Sequence, residues 1–252
     1  MPAFRSLAEK SLQRLLTHWL PCTCALCRQE SAGILCDACR HTYFPPGLSH
    51  CPQCGLHVTE QEPGQTPVQR CGDCLRNPPA FDRTIAVCDY APPQDQLVLS
   101  LKFAHQLALA PLFAGLLRDA ILRQAEQHLP DMLLAVPLGR QRLQDRGFNQ
   151  ALEIARPLAH QLGIALYPRG LQRIRETLPQ TSLTPDARIR NMRNAFMLDE
   201  RITGSLRGKH VGIVDDVITT GMTLHEIATM LKRFGAATVS NYVFARTQYH
   251  SS

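Results

Sequence analysis

At 252 residues with 44% apolar content and a net charge of +6, the chain is long enough for one sizeable core and a small satellite domain, and too apolar to be disordered overall. Its longest apolar runs fall well short of the roughly 20 residues a membrane-spanning helix needs, and it does not open with a charged-then-apolar leader, so the cytoplasm is the expected compartment. Ten arginines against four acidic residues between Arg140 and Arg193 account for the whole positive excess, which favours bidentate phosphate or carboxylate contacts.

Residues 7–20 place Ala8, Leu12, Leu15, Leu16, Trp19 and Leu20 at helical spacing, predicting an amphipathic helix that Pro21 ends. From Cys22 to Pro79 periodicity gives way to Cys, Pro and Gly, the composition of a loop-rich module that needs metal to fold. Beyond Phe81, β-like runs at Thr84–Tyr90, Met132–Val136, Val211–Val214 and Thr238–Phe244 alternate with helical stretches at Asp95–Ala104, Pro111–His128, Asn149–Leu162 and Thr223–Phe234. The alternation predicts an α/β fold, a parallel sheet flanked by helices. Three regions follow: 1–20 as an N-terminal helix, 21–80 as a double zinc-ribbon-like module, and 81–252 as the α/β domain.

Eight of the ten cysteines form four C-x-x-C pairs: Cys24/Cys27, Cys36/Cys39, Cys51/Cys54 and Cys71/Cys74. Gaps of eight and sixteen residues separate the members of each half, so each half supplies four thiolates for one structural Zn²⁺ with no open position for hydrolysis. A cross-braced pairing, first with third and second with fourth, fits the spacing equally well. Cys22 is a substitute ligand through its C-x-C with Cys24, and Cys88 reads as core.

Val211–Val214 followed by DDVITTGMT and then Leu224, Ile227, Ala228 and Leu231 reads as strand, loop and packed helix. Such a loop lies beyond a strand's carboxyl end, where a helix N-terminus presents unpaired N–H groups to an anion. Thr219, Thr220 and Thr223 add hydroxyls, and Gly221 permits close approach. Asp215 and Asp216 would oppose phosphate unless they bind ribose hydroxyls or help hold Mg²⁺. His105, His160 and His225 sit on helical stretches and read as surface or packing residues.

An apolar strand, two acids and a T-T-G-x-T loop resemble the phosphoribosyl pyrophosphate motif of type I phosphoribosyltransferases. With VPLGRQRLQDRGFNQA at 136–151 and RETLPQTSLTPDARIRNMRNAF at 175–196, nearly the whole chain resembles the competence protein F (ComF) family, which joins an N-terminal cysteine-pair zinc module to such a domain. The resemblance implies ribose contacts from Asp215 and Asp216, and a 5-phosphate wrapped by Val217, Ile218, Thr219, Thr220, Gly221, Met222 and Thr223. It implies a pyrophosphate loop after Met132–Val136 with Arg140, Arg142 and Arg146 beside it, a flap at 173–193 bearing Arg173, Arg175 and Arg188, and Zn²⁺ and Mg²⁺ as cofactors.

The implied role is uptake and utilization of external DNA, with phosphoribosyl pyrophosphate, single-stranded DNA and the DNA-uptake machinery as partners. The alternatives are a phosphoribosyltransferase acting on a free base and a phosphoribosyl pyrophosphate sensor without turnover. Eight residues after Phe244 leave no C-terminal hood for a base, so the zinc module or the 95–128 helices would supply that recognition. For single-stranded DNA the aromatic platforms in the basic segment are Phe148, Tyr167 and Phe196.

Overall fold

The computed structural model describes residues 22–47, 50–58, 70–124, 128–174 and 195–248. The expected helix at 7–20, together with Arg175 and Arg188 of the expected flap, lies outside them. The chain divides into two compact units, 1–45 and 46–252. In the first, strands β1 (Cys22–Thr23) and β2 (Glu30–Ser31) pair antiparallel ahead of helix α1 (Asp37–Tyr43).

The second unit contains the third and fourth cysteine pairs, helix α2 (Gly72–Arg76) and a five-stranded parallel sheet. Its strands are β3 (Arg83–Asp89), β4 (Met132–Ala135), β5 (Ala165–Leu166), β8 (His210–Ile218) and β9 (Thr238–Arg246), in spatial order β3-β9-β8-β4-β5. Helices α3 (Gln94–Phe103) and α4 (Leu109–Arg123) join β3 to β4, and α5 (Arg140–Arg146) and α6 (Gln150–Leu162) join β4 to β5. A hairpin of β6 (Leu171–Arg173) and β7 (Phe196–Leu198), then the short α7 (Glu200–Thr203), lead to β8, and α8 (Met222–Arg233) joins β8 to β9.

The direction of the crossovers explains the layering. The connections from β3 to β4 and from β4 to β5 run toward one edge of the sheet, whereas β8 to β9 runs toward the other. Right-handed crossovers therefore put α4 and α6 on one face and α8 on the opposite face. The packing agrees: α4 lies against α6, β3 and β9, and α6 against β4 and β8. Both faces being covered, β9 is buried at every residue after Thr238. Phe113 of α4 stacks on Phe244 of β9 with ring centroids 3.6 Å apart, at the centre of that core.

The strands and helices expected beyond Phe81 are present with shifted ends. Strand β8 continues four residues past Val214, because β9 still pairs with it through Val217↔Ala245 and Ile218↔Arg246. Helix α4 stops at Arg123, short of the expected His128. Gly212 is required inside β8, since a Cβ there would lie 2.5 Å from Leu133 Cδ2 and 2.7 Å from Tyr242 Cε2.

Candidate functional site

Connections leave β8 and β4 in opposite directions, and these strands are neighbours, so the crevice beyond their carboxyl ends is the topological switch point of the sheet. The last hydrogen bond between them runs from Val136 N to Val214 O, which makes Asp215 and Asp216 the first β8 residues past the end of β4. On one side of the crevice stands the loop Thr219–Gly221 and the N-terminus of α8. Gly221 caps that helix at φ +77°, a left-handed conformation that a side chain would strain. On the other side, Val136–Gly139 leads into α5, and Asn149 fastens this turn to α6 by donating to Val136 O while accepting from Ala151 and Leu152 N–H.

The two acids differ. Asp216 is buried and forms an ion pair with Lys102 of α3 at 2.5 Å, and it accepts from Gln150 Nε2 at 3.3 Å. Arg146 in turn donates to Gln150 Oε1 and lies 5.4 Å from the Phe103 ring centroid. Asp215 is half-buried and accepts from the Asp216 N–H at 2.9 Å. Burial, reinforced by the Asp216 charge, pushes its pKa well above the ordinary carboxylate range.

Of the expected arginines, Arg142 and Arg146 meet Lys102 around a cleft of about 630 Å³, and burial pulls the Arg146 pKa down. Arg140 is exposed on the first turn of α5 and does not line that cleft. Val217 and Ile218 are strand residues, so the turn itself begins at Thr219. Arg173 pairs opposite Phe196 in the β6–β7 hairpin and lies over its ring; Phe196 is only 7% exposed and offers no open stacking face.

Four residues that build the crevice and its surroundings escape a sequence reading: Lys102, Asn149, Gln150 and Arg246. Arg246 is the most consequential. Only 2% exposed at the end of β9, it donates to Cys54 O at 3.0 Å, Ile218 O at 3.2 Å and Thr247 O at 3.0 Å, and also to Thr219 O. The available signal was a lone cation closing the apolar run YVFA.

The cysteine pairs group sequentially. The sulfurs of Cys24, Cys27, Cys36 and Cys39 lie within 4.8 Å of one another, and so do those of Cys51, Cys54, Cys71 and Cys74. Sulfur separations of 3.8 Å for Cys27–Cys36 and 3.6 Å for Cys54–Cys71 match the ~3.8 Å edge of a tetrahedron with Zn–S bonds of about 2.3 Å. Backbone N–H groups of Cys36 and Cys71 point at the sulfurs of Cys24 and Cys51. Against the opposing effect of burial, N–H donors bring Cys24 down to about 6, and a hydrogen bond from Cys54 is the main cause that brings Cys51 down to about 4. Burial pushes Cys39 and Cys74 up to about 12. A dication held at the centre of each quartet would resolve this conflict by stabilising all four thiolates. Cys88 is core, its thiol donating to Phe244 O, and Cys22 stands outside both quartets.

Residues 149–249 match the phosphoribosyl transferase domain family, and the parallel sheet, switch-point crevice and acid pair define a type I phosphoribosyltransferase-like domain with a cysteine-rich N-terminal group placed for metal. The chain is 41% identical over 235 residues to the DNA utilization protein YhgH of Salmonella typhimurium (strain LT2), covering 90% of this chain and 98% of that protein. It is 31% identical over 217 residues to competence protein F of Haemophilus influenzae, covering 84% and 90%. Accordingly, the chain belongs to the competence protein F (ComF) family. Among solved structures, a purine phosphoribosyltransferase from Pyrococcus horikoshii Ot3 aligns at 25% identity over 51% of this chain and 66% of its own, with a TM-score of 0.30. Among the described residues no helix is long and apolar enough to cross a membrane.

The raised Asp215 pKa fixes a direction for stability. The folded state holds that proton more tightly than the unfolded chain, so the contribution is complete below the ordinary carboxylate pKa of about 4 and is lost as pH rises through the higher folded-state value. Urea titrations across this interval should show stability falling with rising pH, and Asp215→Asn should flatten that slope. An unchanged slope would contradict the assignment.

Proposed function

We propose that this chain binds Mg²⁺-phosphoribosyl pyrophosphate in the switch-point crevice and acts in the utilization of external DNA, a reading supported by relatives whose names carry DNA utilization and competence. The observation that carries the ligand is the acid pair at the first β8 positions past β4, followed directly by a small-residue turn that opens a helix. Thr219–Thr223 offer hydroxyls and N–H groups to the 5-phosphate, and the carboxyl groups of Asp215 and Asp216 offer acceptor oxygens to the ribose 2′ and 3′ hydroxyls. Lys102, Arg142 and Arg146 supply positive charge for the pyrophosphate. Because Asp216 is paired with Lys102, a ribose that takes over Asp216 frees the ammonium for phosphate oxygens. Mg²⁺ accompanies the ligand and neutralises part of its charge.

Calorimetric titration with Mg²⁺-phosphoribosyl pyrophosphate should give one site per chain, with affinity reduced by at least about 100-fold in Asp215→Ala/Asp216→Ala. An absence of binding by the wild type would overturn the reading. Pyrophosphate release on adding free bases or DNA would make the chain a transferase, and binding without release would make it a sensor.

Each sulfur quartet is proposed to hold one structural Zn²⁺. Elemental analysis should give about two zinc per chain, and folded protein free of zinc would contradict this.

A second reading, contact with single-stranded DNA, is favoured by the cleft between α3 and α5. It sets Phe103, 66% exposed, and Tyr90 among Lys102, Arg142 and Arg146. Aromatic faces within a cationic groove suit a base-stacking, backbone-tracking site. Oligonucleotide anisotropy should show affinity that falls steeply with salt and weakens in Phe103→Ala; salt-independent binding would reject this electrostatic contact.

A further inference from the structure

The second quartet, Cys51, Cys54, Cys71 and Cys74, is joined to the Thr219–Gly221 turn by one side chain. Cys54 serves both: its sulfur belongs to the quartet, and its carbonyl accepts from Arg246 Nε at 3.0 Å. Nη1 of the same guanidinium donates to Ile218 O at 3.2 Å, to Thr219 O, and to Thr247 O at 3.0 Å. Arg246 is 2% exposed and has little access to water, so displacing either the Cys51–Cys54 knuckle or the turn leaves a buried cation with an unsatisfied donor. Neither can move without cost to the other.

The same contact sets where the donors of the turn point. A trans peptide holds its C=O and N–H on opposite sides, so the Ile218 and Thr219 carbonyls, turned toward Arg246, aim the N–H groups of Thr219 and Thr220 away from it. Two further ties run from the quartet to this region. Gln53, between Cys51 and Cys54, donates to Phe81 O at 3.2 Å, and the Phe81 ring lies against Gly221, where a Cβ would stand 3.7 Å from Phe81 Cζ. The Ala80 N–H donates to His225 Nδ1 of α8 at 3.1 Å. The first quartet belongs to the other compact unit and supplies an internal control.

We propose that Arg246 is a positioning residue through which the metal state of the second quartet governs the Thr219–Gly221 turn. With the four thiolates gathered on zinc, the Cys54 carbonyl is fixed, Arg246 is held, and the turn presents its N–H groups to the 5-phosphate. Loss of the metal loosens the knuckle and with it the turn. Such coupling is reciprocal: a ligand that orders the turn raises the hold of the quartet on zinc by the factor by which zinc raises the affinity for the ligand. The proposal rests on the phosphoribosyl reading of the turn and on zinc in the quartet.

The test equilibrates the full-length chain with a zinc-selective chelator buffer, with and without Mg²⁺-phosphoribosyl pyrophosphate. A brief alkylation pulse followed by peptide mass analysis then reads the freed thiols of each quartet separately. In the wild type, saturating ligand should lower the free zinc that half-fills the second quartet by about fivefold or more, and leave the first quartet within about twofold. Arg246→Lys keeps the charge but cannot span the carbonyls, and should shrink the second-quartet shift below about twofold. Amide exchange without ligand gives a readout that needs no variant: emptying the second quartet should speed exchange at Thr219–Met222 by about tenfold or more while Val211–Val214 inside β8 stay protected. No shift in wild type that binds the ligand, equal shifts at both quartets, a shift retained in Arg246→Lys, or exchange at the turn that ignores the metal would overturn the proposal. Wild type that binds no Mg²⁺-phosphoribosyl pyrophosphate, yet whose turn responds to the metal, would overturn the phosphoribosyl reading and leave the coupling supported.

Discussion

The guanidinium of Arg246 is the contact on which the second unit turns. A buried arginine is costly unless its donors are satisfied, and here carbonyls from three parts of the chain satisfy them: Cys54 in the second quartet, Ile218 and Thr219 at the end of β8, and Thr247 beyond β9. The Thr219–Gly221 turn, the Cys51–Cys54 knuckle and the last sheet strand are therefore fixed by one side chain. Further ties make the knuckle part of the sheet: Thr84 N–H donates to Pro52 O at 3.0 Å, and Asp89 at the end of β3 accepts from His50 and Gln248. Those two hydrogen bonds hold Asp89 below its usual pKa in spite of its burial.

The crevice itself balances opposed charges. Two open carboxylates beside the turn would repel the phosphate proposed to bind there. The fold pairs Asp216 with Lys102 and raises the pKa of Asp215, and both reduce the negative field in the crevice. Arg146 adds a third layer, joined to Asp216 through Gln150 and resting on Phe103. Lys102 and Phe103 come from α3, so the helix that closes over the crevice also brings the charge and the aromatic face of the neighbouring cleft.

Much of this could be read from the residues alone. Periodicity located the helices because Leu224, Ile227, Ala228 and Leu231, and their counterparts in α6, are a buried stripe in the folded chain. The T-T-G-M-T turn was legible because it concentrates its chemistry in one short segment. Lys102 was not, because its partner is more than a hundred residues away and is met only once α3 folds over the carboxyl ends of the strands. The end of β8 was misjudged for a related reason: Asp215 and Asp216 look like a loop, yet β9 continues to pair beside them. Cysteine spacing pointed to the candidate ligands but not to their grouping, which depends on the three-dimensional path between pairs.

The most direct measurement is diffraction from crystals soaked in Mg²⁺-phosphoribosyl pyrophosphate. The account predicts density for the 5-phosphate on the N–H groups and hydroxyls of Thr219–Thr223, the ribose over Asp215 and Asp216, and Lys102 turned from Asp216 toward the pyrophosphate. Ligand density away from the β4–β8 crevice, or none in crystals grown with saturating ligand, would contradict it.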